Sequence, residues 1–356
     1  MTAPYEARPA MSMPRPRLAV LGTGAWGRNH VRVIAGEPRC ELAAIVDPDR
    51  EAARRAGELA PGAAVHAEPS AIWADASIDA VVIASPAPTH AALARRALEA
   101  GKHVLVEKPL AMSVADAAAV AGAAAAAGRS AMVGHLMVFH PAVVRLRELM
   151  RSGALGRLHY VHSTRANLGR IRHDENALWS FGPHELSMLD YLLEQSPVSI
   201  GAHGASILQP GIEDVVFVTM RYATGELAHL HLSWLHPRKE RTLTLVCSQK
   251  MVVFDDVAPE KLRIYDKGYD RPPHFTEFAE YLTLRDGDVH IPHLPMEEPL
   301  RLQLRHFLDC IATGRAPLTD LTSGLRIVAI LAAAQRSLAL GGPPVPLDVP
   351  AAQQAR

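Results

Sequence analysis

Short apolar runs and alanine-rich helical stretches alternate along the first third of the chain. RLAVLG (17–22) reads as a buried strand, and residues 25–35 carry a helical period. ELAAIVD (41–47) is a second strand, followed by a helix over 49–59. Strand AVVIAS (80–85), helix 89–100, strand HVLVEKP (103–109), helix 114–127 and strand AMVGH (131–135) come next. Unbroken apolar runs belong to strands covered on both faces. Their alternation with helices implies a parallel, doubly wound sheet.

After Phe139 the period changes. One connecting helix over 140–152 stops at Gly153, and two-residue alternation follows. It runs through RLHYVHSTRA (157–166), VSIGAHGASIL (198–208), DVVFVTMRYA (214–223), ELAHLHLSWLH (226–236), RTLTLVCSQ (241–249) and KMVVFDD (250–256). The short, glycine-containing link Ala223-Thr224-Gly225 suits a hairpin. A helix over 183–193 interrupts this sheet, and helices over 300–312 and 323–340 follow it. The pattern predicts an α/β chain: an N-terminal Rossmann domain over 17–138 and a C-terminal α+β domain over 139–347. The second domain has a mostly antiparallel open sheet for substrate binding and oligomerisation. Residues 1–16 are expected to be a disordered tail, and a length of 356 suits two cores.

Composition narrows the function. Thirty-seven basic residues balance thirty-seven acidic ones, which removes the field that nucleic acid or an anionic membrane would need. Cys40, Cys247 and Cys310 form no close pair and no metal-ligand spacing, so neither a disulfide scaffold nor a metal site is expected. The opening residues lack the apolar core of a signal peptide, and no apolar stretch reaches membrane-spanning length unbroken. A cytoplasmic protein with a small-molecule substrate is expected. The alternating strands of 157–255 leave a broad face to bury against a second copy, which predicts a homodimer or homotetramer.

The chemistry begins at Gly22-Thr23-Gly24-Ala25-Trp26-Gly27, between the first strand and its helix. Gly22 permits the tight turn, Gly24 lets backbone approach a diphosphate, and Gly27 lets helix and strand pack closely. Asp47 ends the next strand, where a carboxylate pairs with a ribose 2′-hydroxyl and so favours NAD over NADP. A turn cap before Pro48 is the plain alternative for it. Glu107-Lys108-Pro109 lies at the carboxyl end of a strand, where such sheets bind ligands. Lys108 there is either a proton relay to a reacting hydroxyl or an exposed strand-end lysine. Pro183 suits a first helical turn, and His184 beside that N-terminus would favour its neutral form, as a general base requires. Arg165, Asn167, Arg170 and Arg172 form a basic cluster able to grip a diphosphate or carboxylate, or else a solvated loop.

With these residues the chain resembles the glucose-fructose oxidoreductase / inositol dehydrogenase / rhizopine catabolism (Gfo/Idh/MocA) family. GTGAWG, SPAPTH (85–90), VEKPLA (106–111) and the histidine of GPHELSMLDYLL (182–193) carry the resemblance. It implies that Lys108 and His184 are catalytic. It places Ser85, Pro86, His90, Glu107 and Lys108 with residues 22–27 and Asp47 at the cofactor, and it leads one to expect a cis peptide before Pro109. The family commonly has aspartate where this chain has Ser180, so an orienting carboxylate for His184 is missing. NLGRIRHDENALWSFGPHELSMLDYLL is similar to members that oxidise UDP-N-acetylglucosamine, or its uronic acid, at carbon 3. That resemblance puts Lys108, Arg165, Asn167, Arg170, Arg172 and His184 at a nucleotide sugar. The alternatives are a dehydrogenase of free sugars or inositols, and a dinucleotide-binding regulator without catalysis.

Overall fold

The structure, a computed structural model, describes residues 15–169, 171–270 and 282–347. These fall into two compact units. The first takes the described residues up to Ala111 with Ala118–Gly134 and Leu300–Leu321. The second takes Met112–Ala117, the described residues of His135–Pro299, and those from Thr322 onward.

In chain order the first unit opens with β1 (Arg17–Leu21), α1 (Gly27–Ala35), β2 (Glu41–Val46), α2 (Arg50–Gly57), β3 (Ala64–His66), α3 (Ser70–Ala74), β4 (Ala80–Ile83), α4 (His90–Glu99), β5 (His103–Val106), α5 (Val114–Ala127) and β6 (Ala131–Val133). The six strands pair in parallel in the order β3-β2-β1-β4-β5-β6, which is the doubly wound dinucleotide-binding topology. β1, β4 and β5 are buried almost throughout, as their continuous apolar runs require. Asp49 caps α2 by accepting from the amides of Glu51 and Ala52. β3 and α3 are absent from the sequence reading because each offers too few buried residues to show a period.

The second unit is built from α6 (Pro141–Arg151), β7 (Leu158–Ala166), α7 (Ala177–Leu193), β8 (Pro197–Ala205), β9 (Val215–Tyr222), β10 (Leu227–Ser233), β11 (Glu240–Cys247), β12 (Met251–Asp255), β13 (Leu262–Asp270) and β14 (Thr283–His290). It ends on α9 (Leu321–Ala339) and β15 (Val345–Pro346); α8 (Pro299–Thr313) lies between β14 and α9 in the chain. Its nine strands run β14-β13-β12-β11-β7-β10-β9-β8-β15, antiparallel except for the parallel pair β7–β10. One face is the core, with Val161, Val218, Leu230 and Leu243 inward. The other turns Tyr160, Phe217 and Leu227 outward.

Two elements differ from expectation. α8 groups with the first unit, not with the 139–347 domain. Arg305 binds the buried Glu37 at 2.9 Å, and Thr319 donates its hydroxyl to the Val133 carbonyl at 2.7 Å. α7 starts at Ala177, so Pro183 lies inside it rather than in its first turn. Asn176 caps it, accepting from the Trp179 amide at 3.1 Å, and the first turn is buried through Ala177, Leu178 and Trp179. That cap and burial outweigh the amide that Pro183 lacks. Among the described residues no helix is long and apolar enough to cross a membrane.

Candidate active site

In the first unit the end of β1 turns at Gly22, whose φ is 90°. A side chain there is excluded twice over. Its Cβ would lie 2.5 Å from the Ser85 amide nitrogen, and a left-handed φ is strained for any other residue. A Cβ on Gly27 would come within 2.0 Å of the Gly22 carbonyl oxygen, so that glycine lets α1 close on the turn. At Gly24 nothing lies within 4 Å of the Cβ position, which leaves backbone open to a ligand. Ala25 and Trp26 complete the turn, and α1 begins at Gly27.

Asp47 directly follows β2. Its Oδ2 accepts from the Thr23 amide at 2.6 Å and the Thr23 hydroxyl at 2.8 Å, and its Oδ1 accepts from the Asp49 amide at 2.9 Å. The carboxylate is thus fixed against the glycine turn, with lone pairs left on Oδ1. The Asp49 amide on Oδ1 makes Asp47 a cap of the turn through Pro48, the plain alternative for it.

Ser85 and Pro86 lie just beyond β4. The Ser85 hydroxyl is 2.6 Å from that of Thr89. His90 is buried; Nδ1 is 2.7 Å from the Pro109 carbonyl and Nε2 is 2.9 Å from that of Ser85. Its ring joins the turn after β4 to the turn after β5 and is not presented to a ligand, unlike the cofactor contact expected.

Glu107 is likewise turned inward. Oε1 accepts from the Trp26 indole at 2.7 Å and lies 2.8 Å from His30 Nε2, while Oε2 is 3.3 Å from the Lys108 amide. Burial pushes its carboxyl up, but hydrogen bonds from His30 and Trp26 with the nearby positive charge outweigh burial and hold it below the usual range. Gly134 makes room, since a Cβ there would lie 2.8 Å from Oε1. Lys108 is half-buried at the end of β5, and the Lys108–Pro109 peptide is cis. His30 and Gly134 are absent from the sequence reading. The available signal is a histidine on the otherwise apolar inner face of α1, three residues after the last glycine.

In the second unit α7 carries Ser180, buried, and His184, half-buried, one turn apart on one side of the helix. His184 lies two turns into α7. The field of a helix N-terminus fades within the first turn, so the electrostatic reason given for a neutral His184 does not hold. Glu185, next in sequence, is buried beneath the helix and binds both the Arg165 guanidinium and the Ser163 hydroxyl. Arg165 therefore ties β7 to α7 and is not available to grip a substrate, which corrects the expectation. Its place on an inward-facing strand position decides this. Asn167 extends β7 by one backbone bond to the Ser233 carbonyl, 3.0 Å. Arg172 is exposed and pairs with Glu175 at 3.0 Å. Arg170 lies outside the described residues.

Residues 16–135 match the oxidoreductase family described by an NAD-binding Rossmann fold, and residues 143–253 match the GFO/IDH/MocA C-terminal domain. The chain belongs to the Gfo/Idh/MocA oxidoreductase family. It is 31% identical to inositol 2-dehydrogenase 2 of Saccharopolyspora erythraea over 222 residues, covering 60% of this chain and 66% of that one. It thus spans just under two thirds of that relative's length. It is 28% identical to UDP-N-acetylglucosamine 3-dehydrogenase of Acidithiobacillus ferrooxidans over 314 residues, 88% of this chain and 94% of that one. Among solved structures, GenD2 from gentamicin A biosynthesis in complex with NAD superposes with a TM-score of 0.81. That match has 25% identity and covers 97% of this chain and 100% of that one. The Gfo/Idh/MocA Rossmann unit here fits NAD: the turn is open at Gly24, and Asp47 is braced by Thr23.

Proposed function

We propose that the protein oxidises one ring hydroxyl of a sugar to a ketone, most productively carbon 3 of a UDP-linked N-acetyl amino sugar. The observation that carries this reading is the joint presence, in one unit, of the open glycine turn after β1 and Lys108 at the end of β5, separated in the sheet only by β4. NAD⁺, when bound, supplies the hydride acceptor. Asp47 holds the adenosine ribose through its 2′-hydroxyl. Lys108 binds the reacting hydroxyl and takes the proton that must leave as the carbon loses hydride. His184 on α7 is the second group assigned to that proton, and Arg172 with Asn167 is assigned to substrate binding.

The match along 94% of a UDP-N-acetylglucosamine 3-dehydrogenase supports the nucleotide-linked substrate. One observation favours an unlinked polyol such as inositol instead: Arg165, one of the three arginines of the expected diphosphate grip, is committed to Glu185. Stopped-flow reduction of NAD⁺ separates the two. UDP-N-acetylglucosamine or its uronic acid should react, while inositol and glucose react slowly or not at all. Reaction of inositol alone moves the assignment to free polyols. No reduction with any of the four leaves a dinucleotide-binding regulator.

The protein is assigned to the cytoplasm as a homodimer or homotetramer. Tyr160, Phe217 and Leu227 stand exposed on the outer sheet face, among the stacked rings of His162 and His229, and support a second copy seated there.

A further inference from the structure

Glu107 precedes the lysine assigned to catalysis, and its carboxylate is turned onto Trp26 and His30. It is buried, and three groups from separate places in the chain are arranged around it. Trp26 belongs to the glycine turn, His30 is one turn along α1, and Gly134 follows β6. Trp26 Nε1 and His30 Nε2 lie 2.7 and 2.8 Å from the same oxygen, Oε1. Trp26 is 41% exposed; its indole nitrogen is anchored on Glu107, and its ring meets that of His30 edge-on with centroids 6.4 Å apart. Trp26 sits between Gly24 and Gly27, in backbone that has no side chain at either glycine to pack it. From outside this stretch, the indole on the carboxylate adds a second hold to that of Asp47 on Thr23. His30 meets that carboxylate from the inner face of α1, itself buried, and the Gly134 position has no Cβ to push it aside.

We infer that His30 and Glu107 are positioning residues for the dinucleotide. Glu107 holds the Trp26 indole and, through it, the 24–27 turn in the form that receives the diphosphate, while His30 keeps the carboxylate in place. Neither touches the cofactor. The inference rests on the reading that the 22–27 turn binds the diphosphate.

The test is calorimetric titration of the full-length protein with NADH, ADP-ribose and AMP, with thermal melts alongside. Trp26→Phe, Glu107→Leu and His30→Leu should each weaken NADH and ADP-ribose by about ten-fold, the scale of one charge-assisted hydrogen bond. AMP, which has no diphosphate, should bind each variant as it binds the wild type. His30→Gln retains a donating nitrogen and should restore most of the NADH affinity. The Trp26→Phe/Glu107→Leu double variant should be no weaker than the weaker single, because both remove one bond. Wild-type NADH affinity in Trp26→Phe, which alters an exposed ring and leaves the core intact, would overturn the inference. So would additive losses in the double variant, or AMP affinity falling as far as NADH. If the wild type binds NADH normally and the variants are unaffected, the inference fails alone. A wild type that binds neither NADH nor ADP-ribose overturns it together with the cofactor reading.

Discussion

In the proposed function Asp47 is the side chain assigned to the cofactor preference. Thr23 supplies two donors to Oδ2 and the Asp49 amide one to Oδ1, so the carboxylate is held at the mouth of the glycine turn. A fixed negative charge there repels a 2′-phosphate and accepts from a 2′-hydroxyl. NADH should therefore bind more tightly than NADPH, and Asp47→Ala should narrow the difference by weakening NADH. Equal or tighter NADPH binding by the wild type in a fluorescence titration would refute this. Gly22, Gly27 and Asp47 were legible in the sequence because what they do is local: a turn geometry, a close approach and a strand end. The inward turn of Glu107 was not, because it depends on His30, 77 residues away in the chain. Arg165 misled for the same reason, since its strand position faces Glu185 and the core.

At the scale of elements, α7 is held to the sheet by a buried charge pair as well as by apolar contact. Removing one partner leaves an uncompensated buried charge, so Arg165→Met should destabilise the second unit by about 3–5 kcal/mol. If Arg165 instead gripped substrate, the variant would keep its urea midpoint and raise only the KM; that result would restore the sequence reading. The central strands were legible from alternation, because β9, β11 and most of β10 alternate buried with more exposed residues, as does the start of β7, whose end is buried throughout. β14, at the edge of the sheet, is exposed at nearly every position and carries charges, so it has no apolar period to read. The start of α7 was obscured by Pro183, which as a local signal outweighs the more distant cap at Asn176.

For the whole molecule, burial is the largest influence lowering His103, His140, His229, His231 and His306 from their ordinary value. A histidine held neutral in the fold takes up a proton more readily once unfolded. Stability should therefore be steady above the unfolded value of about 6.5 and fall as the pH drops below it, toward the folded values. A Tm that stays level between about pH 7.5 and 5.5 would contradict these assignments. The outer sheet face adds a second expectation: Phe217→Arg should shift the protein toward monomer in light scattering, whereas a wild-type monomer would remove the proposed interface. The proposed function rests on hydride chemistry by this Rossmann unit through Lys108. It is tested most directly by measuring NAD⁺ reduction and NADH affinity side by side in wild type and Lys108→Ala. Turnover should fall by about 10²–10⁴-fold in Lys108→Ala with NADH affinity nearly unchanged; reduction of NAD⁺ by that variant at the wild-type rate would remove Lys108 from the chemistry.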